Sequence, residues 1–380
     1  MFRLLPTKLA FSFFRIPSVI RVLFKCLRYS VLSGLILLVL TTEIFSQSLD
    51  LPAKKWGLSF GNSTNFTGVR LNFRDRNVER INGINITLWK PYRENRNSVI
   101  NGLSLGLLPG AGEFRGLQIG ILGVGAEKSA SGINLGILGA GSGRNLYGLN
   151  LGGFGAGAGE NLAGINVGGI GVGAGKNATG LNLAGLGVGA GADLTGITLA
   201  AGGAGAGANL RGLALLGFGA GAGENISGVA AAGLGAGAGE NIKGFVLAGL
   251  GAGAGKAIRG MVIAGLGAGA GEKISGVAVA GLGTGAPEVK GALISGIFAG
   301  GKNLTGLFLA GGSVRLSREG NLRGLAISSF NYLPGNLKGL SLGLVNYAWK
   351  VEKGFQLGLI NIIKSNPRVT RVLPVINTSW

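Results

Sequence analysis

Apolar and polar residues recur with a period of sixteen between Gly116 and Lys290, in eleven copies that each open with a glycine. With that glycine as position 1, large apolar residues occupy positions 2, 4, 7, often 9, and 15. Gly or Ala fills most of positions 5, 6, 8 and 10 to 12, and polar residues gather at positions 13, 14 and 16. Such a short, fixed period marks a repeat architecture, in which no single unit can bury its own apolar face.

Within one unit the pattern predicts two short β-strands. Positions 2 and 4 alternate as one strand and positions 7, 9 and 11 as a second, with a phase slip of one residue between positions 4 and 7. A flip of face within a period-2 pattern implies a bend or bulge, which glycine at position 5 or 6 permits. A helix is disfavoured because each glycine inside it would cost roughly 1 kcal/mol.

Charge is confined to one part of the unit. Between Gly116 and Lys290 every charged residue lies at positions 12 to 16, so eleven consecutive positions carry no charge in any copy. We interpret positions 12 to 16 as a corner that meets water. The rest of the unit is then buried or in contact with something apolar.

Two architectures fit this unit. In a β-solenoid each unit is one coil, with positions 2, 4, 7, 9 and 15 pointing inward and coils stacked about 4.8 Å apart. In an outer-membrane β-barrel each unit is one spanning strand and one turn. The phase slip, the scarcity of aromatic residues and the uniformly short connections favour the solenoid. The predicted fold class is therefore all-β, a repetitive β-solenoid with about 15–16 residues per coil, and the barrel with one strand per repeat is the alternative.

One feature weighs against the solenoid. In the later units position 3 becomes apolar, as at Ala230, Val246 and Val262. If position 3 faces outward, this side of the coil adheres to a membrane, to a neighbouring chain or to itself.

The chain divides into four segments. Residues 1–48 combine a basic start, a largely apolar run of ten residues and small residues up to Ser48, which predicts a secretory signal segment; a retained signal anchor is the alternative. Residues 49–115 form irregular repeats that we interpret as an N-terminal cap. Residues 116–290 are the regular Gly/Ala-rich repeats, and residues 291–380 are C-terminal 15-residue repeats and a cap.

An asparagine recurs at position 8 of the C-terminal repeats. Asn331, Asn346 and Asn361 lie one unit apart, each between apolar residues, and Asn377 follows sixteen residues later. This register predicts a stacked amide ladder at a corner, and unconnected turn asparagines are the alternative. The terminal Trp380 fits either an outer-membrane assembly signal or a ring that covers the open end of the core.

Three stretches carry a resemblance to a known family. They are Gly116-Leu-Gln-Ile-Gly-Ile-Leu-Gly, Gly339-Leu-Ser-Leu-Gly-Leu-Val-Asn and Gly354-Phe-Gln-Leu-Gly-Leu-Ile-Asn. They resemble the surface-repeat proteins of spirochaetes and the Bacteroidetes group. The central units differ in having Gly where that family has Asn. The resemblance implies an envelope or surface location and brings no catalytic residues.

The composition argues against an enzyme. The chain has 380 residues, no His and one Cys, Cys26, which lies inside the predicted signal segment. Its carboxylates are strung along the repeat and are not paired toward one substrate. The net charge of +20 is spread along the chain without interleaved aromatics, which disfavours a nucleic-acid site. We therefore predict no catalytic, cofactor-binding or metal site, no nucleic-acid partner and no small-molecule substrate.

These patterns together predict an exported, non-enzymatic structural or adhesive repeat protein of the bacterial cell envelope or surface. Its expected partners are envelope or membrane components, or further copies of itself. The alternative function is an integral outer-membrane β-barrel with a pore or anchoring role. In both cases the expected location is the cell surface or outer membrane.

Overall fold

The computed structural model describes residues 48–379. Over that range the chain winds into a β-solenoid of about 18 coils of about 16 residues, so the predicted fold class is confirmed. The predicted signal segment, apart from Ser48, and the terminal Trp380 lie outside the described residues. The predictions made for them stay predictions.

Strands make up nearly all of the regular structure. The N-terminal coils contain β1 (Leu49–Ala53), β2 (Trp56–Phe60), β3 (Asn65–Arg74), β4 (Arg80–Trp89), a 3₁₀ helix (Arg93–Asn97), β5 (Val99–Gly106), β6 (Gly110–Gly120) and β7 (Gly123–Gly136). The regular coils contain β8 (Gly139–Ser142), β9 (Asn145–Gly152), β10 (Gly155–Ala158), β11 (Asn161–Gly168), β12 (Gly171–Ala174), β13 (Asn177–Ala184), β14 (Gly187–Ala190), β15 (Leu194–Ala200), β16 (Gly203–Ala206), β17 (Asn209–Leu216), β18 (Gly219–Ala222), β19 (Asn225–Ala232), β20 (Gly235–Ala238), β21 (Asn241–Ala248), β22 (Gly251–Ala254), β23 (Ala257–Ala264), β24 (Gly267–Ala270), β25 (Lys273–Ala280), β26 (Gly283–Gly285) and β27 (Glu288–Ser295). The C-terminal coils contain β28 (Phe298–Leu342), β29 (Val345–Ile363) and β30 (Val372–Asn377).

Each regular coil contains one long and one short strand, as the pattern predicts. The long strand, for example β11, runs from position 14 of one unit to position 5 of the next, and the short strand, for example β12, covers positions 8 to 11. Both pair in parallel with their equivalents in the next coil, so that Gly164 faces Gly180 and Gly171 faces Gly187.

The parallel stack is closed at both ends of the described range. Within residues 48–379 antiparallel pairs occur only between β1 and β2 and between β29 and β30. The alternative of one membrane-crossing strand per repeat is therefore wrong, because strands that follow one another in that arrangement pair antiparallel.

Glycine at position 1 is required by the backbone where the long strand bends. The φ angle is +113° at Gly164 and +102° at Gly180, a region that other residues rarely adopt. A Cβ on Gly180 would lie 2.1 Å from the carbonyl oxygen of Gly164. Glycines at positions 6 and 12 approach the preceding coil as closely, and the corresponding distance is 1.9 Å at both Gly169 and Gly175. Position 1 is glycine in every regular coil, whereas positions 6 and 12 also accept other residues, such as Ile137, Ala201 and Pro287. The predicted bend at position 5 or 6 accounts for one of these three close approaches.

Five of the sixteen positions form the interior. We call the residues at one position of successive coils a row, numbered by that position. Rows 3, 5, 9, 11 and 15 face inward, and row 15 holds mostly large aliphatic side chains, such as the fully buried Ile242 and Ile258. Rows 9 and 11 hold mostly Ala. The prediction that positions 9 and 15 point inward is confirmed.

Rows 2, 4 and 7 face outward, and the prediction that they point inward is wrong. Ile165 is 46% exposed, Leu215 45% and Phe218 61%. One continuous strand runs from position 14 of one unit to position 5 of the next. Its side chains therefore alternate between inside and outside, and rows 15, 3 and 5 all point inward. Rows 2 and 4 have the opposite parity and must lie outside. The interior between facing strands accommodates mainly Ala and Gly on the short-strand side, so large side chains there are excluded.

Position 3 is consequently an interior position, and its interpretation as an outward face is wrong. Ala230, Val246 and Val262 are fully buried. Their apolarity in the later units changes the composition of the core. The apolar surface of the rod lies elsewhere, in rows 2, 4 and 7.

Candidate functional site

The predicted C-terminal asparagines come together in one hydrogen-bonded row. Asn331 Nδ2 donates to Asn346 Oδ1 at 2.7 Å, and Asn346 Nδ2 donates to Asn361 Oδ1 at 2.8 Å. Asn346 Nδ2 also donates to the carbonyl oxygen of Leu357 at 3.0 Å. All three asparagines are fully buried. Their amides are used up by the fold, so this row stabilises the coils and leaves no group facing a ligand.

Asn377 caps that row from the antiparallel strand β30. Its Nδ2 donates to the carbonyl oxygen of Asn361 at 3.1 Å, and its Oδ1 accepts from Asn366 Nδ2 at 3.4 Å. The last regular coil is thus closed by amide contacts that continue the direction of the ladder.

A second ladder runs through row 3 and was missed from the sequence. Asn134, Asn150, Asn166 and Asn182 are fully buried, and successive Nδ2 to Oδ1 distances are 2.8, 2.7 and 2.9 Å. The sequence feature that indicates this ladder is an Asn at position 3 of four consecutive units. The interpretation of position 3 as an outward position does not lead to this ladder, because an outward amide has water as its partner.

A third, half-buried ladder follows row 14. Asn145, Asn161 and Asn177 are linked by Nδ2 to Oδ1 bonds of 2.9 and 3.0 Å. Beyond them Asp193 accepts from Asn209 Nδ2 at 2.8 Å, and the row continues through further asparagines. These amides lie at the edge of the coil beside the charged corner.

A buried ion pair lies in the N-terminal coils. Arg70, which occupies row 3, donates through Nη1 to Asp75 Oδ1 at 2.6 Å and to Asn85 Oδ1 at 2.8 Å. Asn85 Nδ2 donates to Asp75 Oδ2 at 3.0 Å. Because the charges are paired and bonded to amides, the cluster links three segments of the cap. It presents no free acid or base to solvent.

Two outward rows are apolar along almost the whole rod. Row 2, from Leu58 to Phe355, and row 4, from Phe60 to Leu357, contain only aliphatic, Met or Phe residues. We call rows 2 and 4 together the apolar face. A shallow groove beside row 4 is lined only by Val, Leu, Gly and Ala. Nothing in that groove is able to act as an acid, base or nucleophile.

The residue before each opening glycine forms a further row, which we call the cationic row. It contains eight cations and no Asp or Glu. Its charged members are Arg115, Arg211, Lys243, Arg259, Lys290, Arg323, Lys338 and Lys353. Within residues 48–379, no ion pair involves Lys243, Arg259, Arg323 or Lys353.

Both signs of charge occur in row 13, which we call the mixed-charge row. Lys256 Nζ lies 2.5 Å from Glu240 Oε1, and this hydrogen bond raises the pKa of Lys256. The pKa of Glu288 is lowered because its carboxylate accepts hydrogen bonds from Lys273 and Lys290. Such exposed pairs add little to stability, and none of them forms a converging site.

Residues 48–379 hold no group of three or more His, Cys, Asp or Glu side chains arranged to bind a metal ion. In the same range, no helix is both long and apolar enough to cross a membrane.

Comparison of the chain with protein family models, curated proteins and solved structures finds no significant match. The resemblance to bacterial surface-repeat proteins therefore stays a prediction. The fold and its faces are the basis for any functional conclusion.

Proposed function

We propose that the chain is a structural element of the bacterial cell envelope, an exported rod whose faces associate with other envelope components. The apolar face carries this proposal. In every coil from Leu58 to Leu357 its two outward positions are apolar, although polar residues could occupy such exposed positions without a cost to folding. A contiguous exposed apolar surface of this length is typical of an interaction surface.

The interior supports a scaffold role. The buried amides of the row 3 ladder and of the C-terminal ladder bond to one another from coil to coil, and the corner glycines allow successive backbones to lie in contact. These contacts repeat from coil to coil, as in other solenoids, and favour a stiff rod. At about 4.8 Å per coil its length is roughly 90 Å.

Cell fractionation with protease protection tests the location. An antibody against the chain is expected to detect it in the envelope fraction, and added protease is expected to cleave it in intact cells if it lies on the surface. Recovery in the soluble cytoplasmic fraction would contradict the proposal. Electron microscopy of the purified chain tests the scaffold role separately, with single rods of roughly 90 Å expected.

A further inference from the structure

The apolar face is large for an exposed surface. Rows 2 and 4 are about 7 Å apart on the long strand and extend roughly 90 Å along the rod, which gives on the order of 1,000 Å² when side-chain width is included. The largest apolar patch of a typical soluble monomer is about 300–600 Å². Members such as Ile133, Ile197 and Leu247 are more than two-fifths exposed. This face therefore requires a partner of matching extent.

The cationic row forms the rim of this face. It lies two residues before row 2 on the same long strand, as Arg211 does before Leu213 in β17. Seven of its eight cations fall between Arg211 and Lys353. Anions beside the row pair with four of these cations: Glu113 with Arg115, Asp193 with Arg211, Glu288 with Lys290, and Glu352 with Lys338. The other four, Lys243, Arg259, Arg323 and Lys353, form no ion pair within residues 48–379.

A second copy of the chain is a poor partner for this face. From Gly116 to Lys364 no Asp or Glu occupies the first eleven positions of any coil. Two copies joined through rows 2 and 4 would therefore place each cationic row against apolar rows or against the other cationic row. Neither arrangement places a carboxylate opposite the four cations that form no ion pair, and both bring these cations toward an apolar contact without compensation.

We propose that the apolar face and the cationic row together bind the surface of a bilayer that contains anionic phospholipids. This proposal rests on the proposed envelope function and names its partner. Side chains of rows 2 and 4 enter the boundary between headgroups and acyl chains, while the Lys and Arg stems extend along the apolar rim and place their charges at the phosphates. Because seven of the eight cations lie from Arg211 onward, the C-terminal half of the rod binds more tightly than the first regular coils.

Vesicle binding by the purified full chain tests the proposal with two matched variants. Each variant replaces four cations by Gln and so changes the net charge equally. The rim variant carries Lys243→Gln, Arg259→Gln, Arg323→Gln and Lys353→Gln. The control variant, in the mixed-charge row, carries Lys128→Gln, Arg144→Gln, Lys176→Gln and Lys256→Gln.

With vesicles of phosphatidylcholine and phosphatidylglycerol in a two-to-one ratio, we expect the rim variant to bind roughly 100-fold more weakly than the wild type. The control variant is expected to lose less than about threefold in affinity. Its charges lie three residues before the cationic row, and so farther along the chain from rows 2 and 4. Pure phosphatidylcholine vesicles should bind the wild type much more weakly, and added salt should weaken its binding to anionic vesicles.

Three outcomes would overturn the proposal. They are equal losses in the two variants, no binding of the wild type to anionic vesicles, and a stable dimer whose formation buries the apolar face. In any of these cases the fractionation experiment still decides whether the chain belongs to the envelope, so the two proposals fail separately.

A label reports which face meets the lipid. In a Cys26→Ser background, an environment-sensitive dye on Val229→Cys, in row 2, is expected to shift to the blue when anionic vesicles are added. The same dye on Ala192→Cys, in row 13, is expected to change little. Circular dichroism confirms that both variants remain folded, and the reverse pattern of shifts would contradict the assigned face.

Discussion

The two halves of the regular section have the same apolar face and different interiors. In the coils of residues 116–195, row 3 carries the buried amides from Asn134 to Asn182. In the coils of residues 196–290 it changes through Thr198 to Ala and Val. Rows 2 and 4 are apolar in both halves. The same coil thus accepts a polar or an apolar interior row without a change of strand register.

This difference shows which positions the coil requires and which ones only fill its interior. The ladder of amides is tolerated because each interior Asn donates to the next and accepts from the one before, which offsets the loss of water. Only the ends, Asn134 Oδ1 and Asn182 Nδ2, lack partners among the buried amide atoms of this ladder. The corner glycines and row 15, which persist in both halves, therefore define the coil.

Polarity also changes place between the halves. In the first half the cationic row holds Ser131, Tyr147, Ala163, Thr179 and Thr195, all uncharged. Within the regular coils the cationic row first becomes charged at Arg211, on the same long strand, β17, as Ala214 of row 3. The first half is thus polar inside and neutral at the rim, and the second half is apolar inside and cationic at the rim. This asymmetry is why the two halves are expected to bind a membrane unequally.

The largest effect is expected at a corner glycine. Gly180→Ala would force a Cβ to within 2.1 Å of the Gly164 carbonyl oxygen at a φ of +102°. We expect a loss of about 4 kcal/mol in the free energy of unfolding, or separation of the stack at this coil. Denaturant unfolding followed by circular dichroism measures the loss.

Gly189→Ala is the matched control for that substitution. An added Cβ there meets nothing within 4 Å, and the φ angle of Gly189 lies outside the left-handed region. The change should be neutral or slightly stabilising because it reduces the entropy of the unfolded chain. Equal destabilisation by the two variants would show that glycine content, and not the corner contact, determines stability.

A smaller loss is expected when the interior of the second half is made polar. Val246→Asn would place an amide between Ala230 and Val262, neither of which offers it a hydrogen bond. The buried amide would lack a side-chain partner, so we expect a loss of about 3 kcal/mol. A triple variant with Asn at positions 230, 246 and 262 should cost less per substitution, because the new amides bond to each other. Strict additivity in unfolding experiments would refute this account of the difference between the halves.

Much of the architecture was predictable from the period and the glycines. The sixteen-residue repeat, the two strands per coil and the exclusion of helix follow from residues 116–290. The confinement of charge to positions 12 to 16 also located the wet corner, where Lys256 and Glu240 form an exposed pair. These features depend on the local sequence of one unit, so the period and the residue types at each position are enough to predict them.

The direction of the side chains was not predictable from residue size. Row 15 holds large apolar residues inside and rows 2 and 4 hold them outside, although the three belong to one strand. Large apolar residues are usually buried. Here the alternation of side chains along the long strand places rows 2 and 4 outside, whatever the size of their residues. Asn166 shows the converse, since a polar residue appears external until its ladder partners are considered. The register of Asn331, Asn346 and Asn361 was visible because their neighbours are apolar.

A third effect is expected from breaking the amide ladder of the first half. Asn166→Ala removes the acceptor for Asn150 Nδ2 and the donor to Asn182 Oδ1, so we expect a loss of about 2 kcal/mol. Asn161→Ala, in the half-buried row 14, should cost about 1 kcal/mol because water reaches the freed groups. Thermal and denaturant unfolding compare the two. A larger loss at Asn161 would mean that the outer ladder, and not the inner one, stabilises these coils.

The smallest effect is expected in the mixed-charge row, which both halves share. Glu288 has a pKa below its usual 4.5 because Lys273 and Lys290 bond to its carboxylate. A group whose pKa is lowered on folding stabilises the fold above the unfolded pKa, and this contribution disappears as the pH falls through the folded value. Glu288→Gln should therefore lower Tm slightly at neutral pH and not at pH values below the folded pKa. Both the Glu288 carboxylate and its lysine partners are exposed, so the shift in Tm should be close to the resolution of a thermal melt.

Glu127→Gln, which removes a carboxylate from the first half, is the control for charge alone. If Glu288→Gln lowered Tm as much as Asn166→Ala does, the charged corner would contribute to the coil as strongly as its interior, and the distinction drawn between the two would not hold.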